Sequence, residues 1–302
     1  MISRSLVWLA LAIILPAAGA RAASPPKPPP ARVTILYDAF GDQPDLTRDW
    51  GFAALIEYGG KRVLFDTGNN ADIFGRNVRA LKLDLRTIDF VVVSHRHGDH
   101  TAGLNYLLQI NPKVKIYAPK EGFGVFGAAL PGSFFRSDTT LPPRMRYFNG
   151  SPPGELRFGT AWPAANFSWI DSTTEIAPGF VVLSTVSKTP GTLELRELSL
   201  AVRTPQGLVL LVGCSHPGIE TILQASRSVG DHVHLILGGL HLVNTPDPEI
   251  ERIAHALLDD WHLDLIAPGH CTGEPAFAAL LRAFGPRYRY AGLGAVIALP
   301  AA

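Results

Sequence analysis

The sequence predicts an α/β fold with two sheets packed between helices. Strand-like runs rich in β-branched residues alternate with helix-like segments through both halves of the chain. His, Asp and Cys gather where those runs end, at Asp66, at residues 95–100, at 214–216, at His241 and at 270–271. Binding groups at strand C-termini are the usual arrangement in layered α/β folds. The 302 residues, 47% of them hydrophobic, suffice for one large core.

In chain order, residues 33–37 read as a strand from their β-branched and aromatic content, followed by a polar loop over 38–49. Residues 50–58 and 62–65 read as a hairpin around Gly59-Gly60, and its second strand runs into Asp66-Thr67-Gly68. A helix is expected over 71–81, a buried strand over 90–93, a helix over 104–110 and a strand over 114–117.

From 121 to 178, glycine and proline recur and periodicity fails, the pattern of an inserted lid or pocket wall. Its aromatics (Phe123, Phe126, Phe134, Phe135, Phe158, Trp162 and Trp169) could line an apolar pocket or pin the insertion to the body. Arg136, Arg144 and Arg146 could meet an anionic group, although solvated surface arginines are the plainer reading.

Strands resume at 180–186, 198–203 and 208–212, with a turn at Pro205-Gln206-Gly207. The last ends in Gly213-Cys214-Ser215-His216, with Pro217 placed as the first residue of a helix over 218–228. A strand over 234–237 stops at Gly238-Gly239-Leu240-His241, and a helix spans 248–260. A strand over 263–267 runs into Pro268-Gly269-His270-Cys271-Thr272-Gly273, before a helix over 275–284 and a closing strand over 295–299.

The N-terminus stands apart. Arg4, the apolar run 6–15 and the small residues 17–22 have the layout of a secretory signal peptide over 1–23. Residues 24–31 read as a proline-rich linker, and 32–302 as the folded domain with its 121–178 insertion. A periplasmic or secreted location follows. Beyond the N-terminus no long apolar run suggests a membrane partner after signal removal. A net charge of +1 offers no basic face for nucleic acid, so a small-molecule substrate is the expected partner. Two cysteines make no disulfide scaffold; Cys214 and Cys271 could pair, pack as small hydrophobes or contact a metal.

The chemistry centres on Ser94-His95-Arg96-His97-Gly98-Asp99-His100. In an extended segment His95 and His97 point to one side, and Gly98 lets the chain turn so that Asp99 and His100 swing back towards the same point. Imidazoles with a carboxylate suit zinc, iron or manganese. His216 and His270 stand at later strand ends as further ligands. Asp66 could orient a ligand histidine or simply cap a turn. His241 could bind metal, donate a proton to a leaving group, contact substrate or merely pack.

With its His-X-His-X-Asp-His segment after a strand, the chain resembles the metallo-β-lactamase-fold superfamily. Its nearer likeness is to the branch of dihydropterin-ribofuranosylaminobenzene-phosphate-synthase-like metallohydrolases. That likeness also rests on Trp50-Gly51-Phe52 through Ile56-Glu57, Leu64 through Gly68, Asn77, residues 213–218, residues 238–241 and residues 270–273. It implies an αββα four-layer sandwich with metals at one edge between the sheets. His95 and His97 would bind one metal; Asp99, His100 and His270 would bind a second. Two positions depart from the common pattern: residues 187–192 lack the usual histidine, and Gly213-Cys214 stands where many members bridge the metals with aspartate. His216 is then the candidate to complete the first site.

The resulting expectation is an exported metal-dependent hydrolase carrying one or two Zn2+ ions, with Mn2+ or iron also suited. Metal-bound hydroxide would attack a small ester, lactone, amide or phosphoester, with Asp99, His241 and Asp66 supporting catalysis. The alternatives are a pterin-related synthase, and a non-catalytic metal- or ligand-binding protein on the same scaffold.

Overall fold

The computed structural model describes residues 30–121, 128–131, 150–158, 161–188 and 194–301, with Thr139 and Arg146 besides. The expected signal peptide, nearly all of the linker, residues 189–193, Arg136, Arg144 and four of the expected insertion phenylalanines lie outside them.

The chain begins as an antiparallel meander of β1 (Arg32–Tyr37), β2 (Ala53–Tyr58) and β3 (Lys61–Phe65). Gly59 and Gly60 form the tight turn, both with positive φ, which glycine tolerates without a side-chain clash. Helix α1 (Ala71–Ala80) starts at Asn70, whose side chain accepts from the backbone N–H groups of Asp72 and Ile73. Then come β4 (Phe90–Val92), α2 (Gly98–Thr101), α3 (Leu104–Ile110) and β5 (Lys115–Pro119). A small hairpin of β6 (Ala128–Pro131) and β7 (Glu155–Phe158) follows. Next are β8 (Asn166–Ile170), β9 (Thr174–Ala177), β10 (Phe180–Ser187), β11 (Leu195–Thr204) and β12 (Gly207–Val212). The last third alternates α4 (Ile219–Ser226), β13 (Val233–Gly239), α5 (Asp247–His255), β14 (Leu265–Gly269), α6 (Glu274–Phe284) and β15 (Val296–Ala298).

Two mixed sheets result, in the orders β15-β1-β2-β3-β4-β5-β8 and β14-β13-β12-β11-β10-β9. Alternation divides their side chains between layers. Val63, Phe65, Phe90 and Val92 face the core between the sheets, where they meet Phe180, Val209, Leu211 and Leu237. Leu64 and Val91 point outward beneath Phe74, Val78, Leu104 and Leu107 of α1 and α3. Leu208, Leu210 and Val212 lie with residues of α4, α5 and α6, including Ile222, Ile253 and Leu280. Strands buried on both faces read as unbroken apolar runs. Each such side chain stabilises the fold by about 1.5–3 kcal/mol. The fold is the expected αββα sandwich.

Three local expectations need correction. The 121–178 segment is not wholly an insertion, because β8 and β9 form edge strands of the two sheets. Edge strands need only one apolar face, and the mostly part-exposed pattern of these two left no strong run to read. Trp162 packs beside α3 and donates through Nε1 to Asn105, while Trp169 stacks on Phe167 at 4.7 Å between ring centres. Trp162 pins the segment to the body, whereas the Trp169–Phe167 stack lies within β8 itself. Pro217 precedes α4 instead of opening it, since Gly218 at φ 88° holds the N-cap. The helix expected over 248–260 is α-helical only to His255 and widens into a π turn over Ala256–Asp260.

Candidate metal centre

Five strands deliver the site from their C-terminal ends. β3 delivers Asp66, β4 the turn 94–100, β12 the turn 213–216, β13 His241 and β14 His270. Asp66, Ser215, His241 and His270 adopt positive φ of 57°, 62°, 52° and 48°. Left-handed backbone is costly for residues other than glycine, and its concentration at sites is a recognised mark of function. Here it reverses each chain within one residue, so a side chain comes to face the common edge.

The sequence candidates converge there. His95 Nε2 lies 3.0 Å from His97 Nδ1, and the His216 ring sits 4.9 Å from His95 and 4.8 Å from His97, centre to centre. On the other side, His100 Nε2 lies 3.1 Å from His270 Nε2, and Asp99 Oδ2 stands 3.4 Å from His270 and 3.8 Å from His100. Cys214 joins the halves. Its sulfur lies 3.2 Å from His100 Nε2 and falls within ligand range of His95 with His216 and of His100 with His270. The sulfur thus stands where the usual bridging aspartate is missing. Both cysteines are free thiols, not the disulfide held open above.

Buried carboxylates hold the ligand-bearing loops. Asp66 Oδ2 accepts from His100 Nδ1 and from Ser94 Oγ, each at 2.7 Å, and its Oδ1 accepts from the Ser94 N–H at 2.7 Å. Glu197 lies wholly buried on β11. Its Oε1 accepts from the N–H groups of Cys214 (2.9 Å) and Ser215 (2.7 Å), and its Oε2 from that of His216 (2.8 Å). Asp38 accepts from the His270 N–H at 2.9 Å. Burial pushes Glu197 up to about 7 and Asp38 to about 8, against the pull of those same N–H groups.

The donor set fits a divalent cation. Burial, helped by the neighbouring rings, lowers His95 well below the usual histidine range and His216 to about 3. These rings are therefore neutral and offer lone pairs. His216 Nε2 and His270 Nδ1 are buried without any hydrogen-bond partner, a costly state that a cation would relieve at His216. Against burial, the imidazoles of His270 and His100 hold Asp99 far below the ordinary carboxylate range.

Glu197 and Asp38 escaped the sequence reading. The signal for Glu197 was a lone acid inside the apolar alternation Leu195 to Val202; Asp38 sits just after a strand and looked like any loop acid. His232 and His234 belong elsewhere, since both bond Asp264 at 2.8 Å beside the starts of β13 and β14. His241 lies with its ring 4.2 Å from that of His216. Beside the two is a cavity of about 260 Å³, lined also by Ile219, Leu240, Leu242 and Arg252. Arg252 is tied there to Glu220 and Glu249 at 2.6 and 2.7 Å.

Fold and site together define an α/β protein with a cluster of histidine, cysteine and carboxylate groups at one sheet edge that could hold a metal ion. The sequence model of the metallo-β-lactamase superfamily matches residues 47–226, and the chain belongs to that superfamily. It is 28% identical over 290 residues to a 7,8-dihydropterin-6-methyl-4-(β-D-ribofuranosyl)-aminobenzene-5'-phosphate synthase of Methanocaldococcus jannaschii, covering 87% of this chain and 95% of that one. Among solved structures it is similar to a metal-dependent hydrolase of the β-lactamase superfamily, at 26% identity and TM-score 0.67, over 89% of this chain and 99% of the other. The short form of human tRNase Z shares the fold at 14% identity and TM-score 0.52, again over 89% and 99%. No described helix is long and apolar enough to cross a membrane.

Proposed function

We propose that this chain is an exported metal-dependent hydrolase acting on a small ester, lactone, amide or phosphoester. One observation carries the reading: two ligand groups, His95-His97-His216 and Asp99-His100-His270, meet at the sulfur of Cys214. Zinc is favoured over manganese because a thiolate is a soft ligand, and iron remains compatible with the same set. When bound, such a cation lowers the pKa of water to near neutrality and polarises a carbonyl or phosphoryl oxygen.

The side chains divide the remaining work. Asp66 fixes the His100 ring through Nδ1, leaving Nε2 as the ligand atom. His241 is solvent-exposed beside His216, placed to donate a proton to a leaving group. The half-exposed Trp50 ring stands 5.3 Å from His270 and offers an apolar wall to substrate. The small cavity beside His216 suits a short acyl or alkyl group. The test is hydrolysis of a panel of chromogenic esters, lactones, amides and phosphoesters by zinc- or manganese-loaded protein, with His95→Ala as control. Inactivity on the whole panel would sink the reading. Export is checked by N-terminal mass of the protein recovered outside the cytoplasm, with cleavage near residue 23 expected.

A second reading, a pterin-related synthase, is favoured by the likeness to the archaeal synthase along nearly the whole of both chains. Product formation from a dihydropterin and a ribofuranosylaminobenzene phosphate would establish it. An uncleaved N-terminus inside the cell would point the same way.

A further inference from the structure

One cluster at this edge is not absorbed by the two histidine groups. The sulfurs of Cys214 and Cys271 and a ring nitrogen of His241 all lie within 4.8 Å of one another. They arrive on three separate strand ends, after β12, β13 and β14. Both thiols are buried, at 3% and 2% exposure, while His241 opens to solvent. The backbone makes room for the second sulfur. A Cβ on Gly239 would stand 2.8 Å from Cys271 Sγ and 2.4 Å from the Gly213 carbonyl oxygen, so a side chain there would collide with both.

We propose that Cys214, His241 and Cys271 form a further cation seat, for a thiophilic divalent ion of the zinc class, sharing Cys214 with the histidine groups. Two thiolates and one imidazole fill three positions of a tetrahedral ion and leave one open. Sulfur selects against magnesium, calcium and manganese, which prefer oxygen. As each metal–sulfur bond forms, the thiol proton passes to water. A thiolate sulfur keeps three lone pairs, enough for Cys214 to bridge neighbouring ions. Cys271 and His241 belong to neither histidine group, so a metal count that falls on their loss reads this seat, and an ion held there would take His241 out of its proton-donating role. The seat does not rest on the hydrolase reading, because a chain inactive on every substrate still either binds the extra ion or does not.

The test uses the full chain, stripped by a chelator and kept reduced with a phosphine, then dialysed against cadmium. Metal per chain is counted by plasma mass spectrometry, and sulfur-to-cadmium charge transfer is read in the ultraviolet. Cys271→Ser and His241→Ala are each expected to bind one equivalent fewer than the native chain. Cys271→Ser should also lose about half of the charge-transfer absorbance, since one of two thiolates is gone. Manganese should give one count for all three proteins. Equal cadmium counts and equal absorbance overturn the proposal. A measurement on the native chain guards against misfolded variants: cadmium should slow alkylation of Cys271 by iodoacetamide about tenfold or more, because the bound thiolate is no longer free. Labelling at one rate with and without cadmium overturns the proposal equally.

Discussion

The turn at 94–100 and the turn at 213–216 bring candidate ligands to one point by opposite means. In the first, Asp66 grips the ligand side chain itself, bonding His100 Nδ1 and the Ser94 hydroxyl. In the second, Glu197 grips only backbone, taking three successive N–H groups, while Cys214 and His216 project beyond it. A turn held through side chains must spell out its residues. One held through its backbone needs the right shape and a distant acid. The first turn is therefore legible with its support, whereas in the second the sequence shows Cys214 and His216 but not the acid that holds them.

Substitutions can break or sharpen that contrast. Cys214→Ala removes the atom common to both ligand groups, and zinc affinity should fall by 100-fold or more, on the order of a lost direct ligand. Unchanged affinity in a chelator competition would show that the two turns act independently. Glu197→Ala leaves three N–H groups of the second turn without an acceptor, at about 1–3 kcal/mol for each that stays buried. Stability measured by denaturant should drop by roughly 3–5 kcal/mol, and a loss below about 1 kcal/mol would refute the backbone grip. Asp66→Asn keeps the shape of the first turn but weakens its hold on His100. A loss of about 10–100-fold in zinc affinity is expected, with a loss of metal-free stability that is greatest below pH 6.5, where the His100 proton counts in full; calorimetry can separate the two.

A pH series probes the first turn further. In the metal-free chain burial opposes charge on His100, yet Asp66 and Asp99 prevail and raise it from 6.5 to about 9. The ring keeps its proton below that value, so a cation must displace it. Zinc affinity should climb by about tenfold per pH unit per displaced proton up to pH 9. By the same linkage, this proton's contribution to metal-free stability is full below 6.5 and lost as pH rises through about 9. Flat affinity across that window would remove His100 from the ligand set. The smallest effect is expected at Trp50, 46% exposed and outside both grips. Trp50→Ala should change stability by less than about 0.5 kcal/mol while raising KM.

Much of the fold was readable because buried strands declare themselves as apolar runs: residues 90–93, 208–212 and 234–237 each proved to be core strand. The edge strands β8 and β9 did not, since nearly every residue of each is at least partly exposed. At the site, the histidines and Asp99 were legible from residue type and spacing. The central place of Cys214 was not, because a single thiol in sequence looks the same whether it packs, pairs or binds. Glu197 was hidden for another reason: its partners are backbone N–H groups, which every residue possesses.

The left-handed turns at Asp66, Ser215, His241 and His270 set a limit on how this protein can be improved. Each non-glycine residue there raises the free energy of the fold by roughly 1–2 kcal/mol. Glycine would relax all four, but at Asp66 it would release His100, and at the two histidines it would remove the ring. Only Ser215 carries no ring or carboxylate into the site, although its hydroxyl donates to the Gly239 carbonyl at 2.8 Å. Selection for heat resistance and selection for chemistry therefore compete at these positions. Thermal robustness has to be sought in the sheets and outer helices, which can change without disturbing the edge.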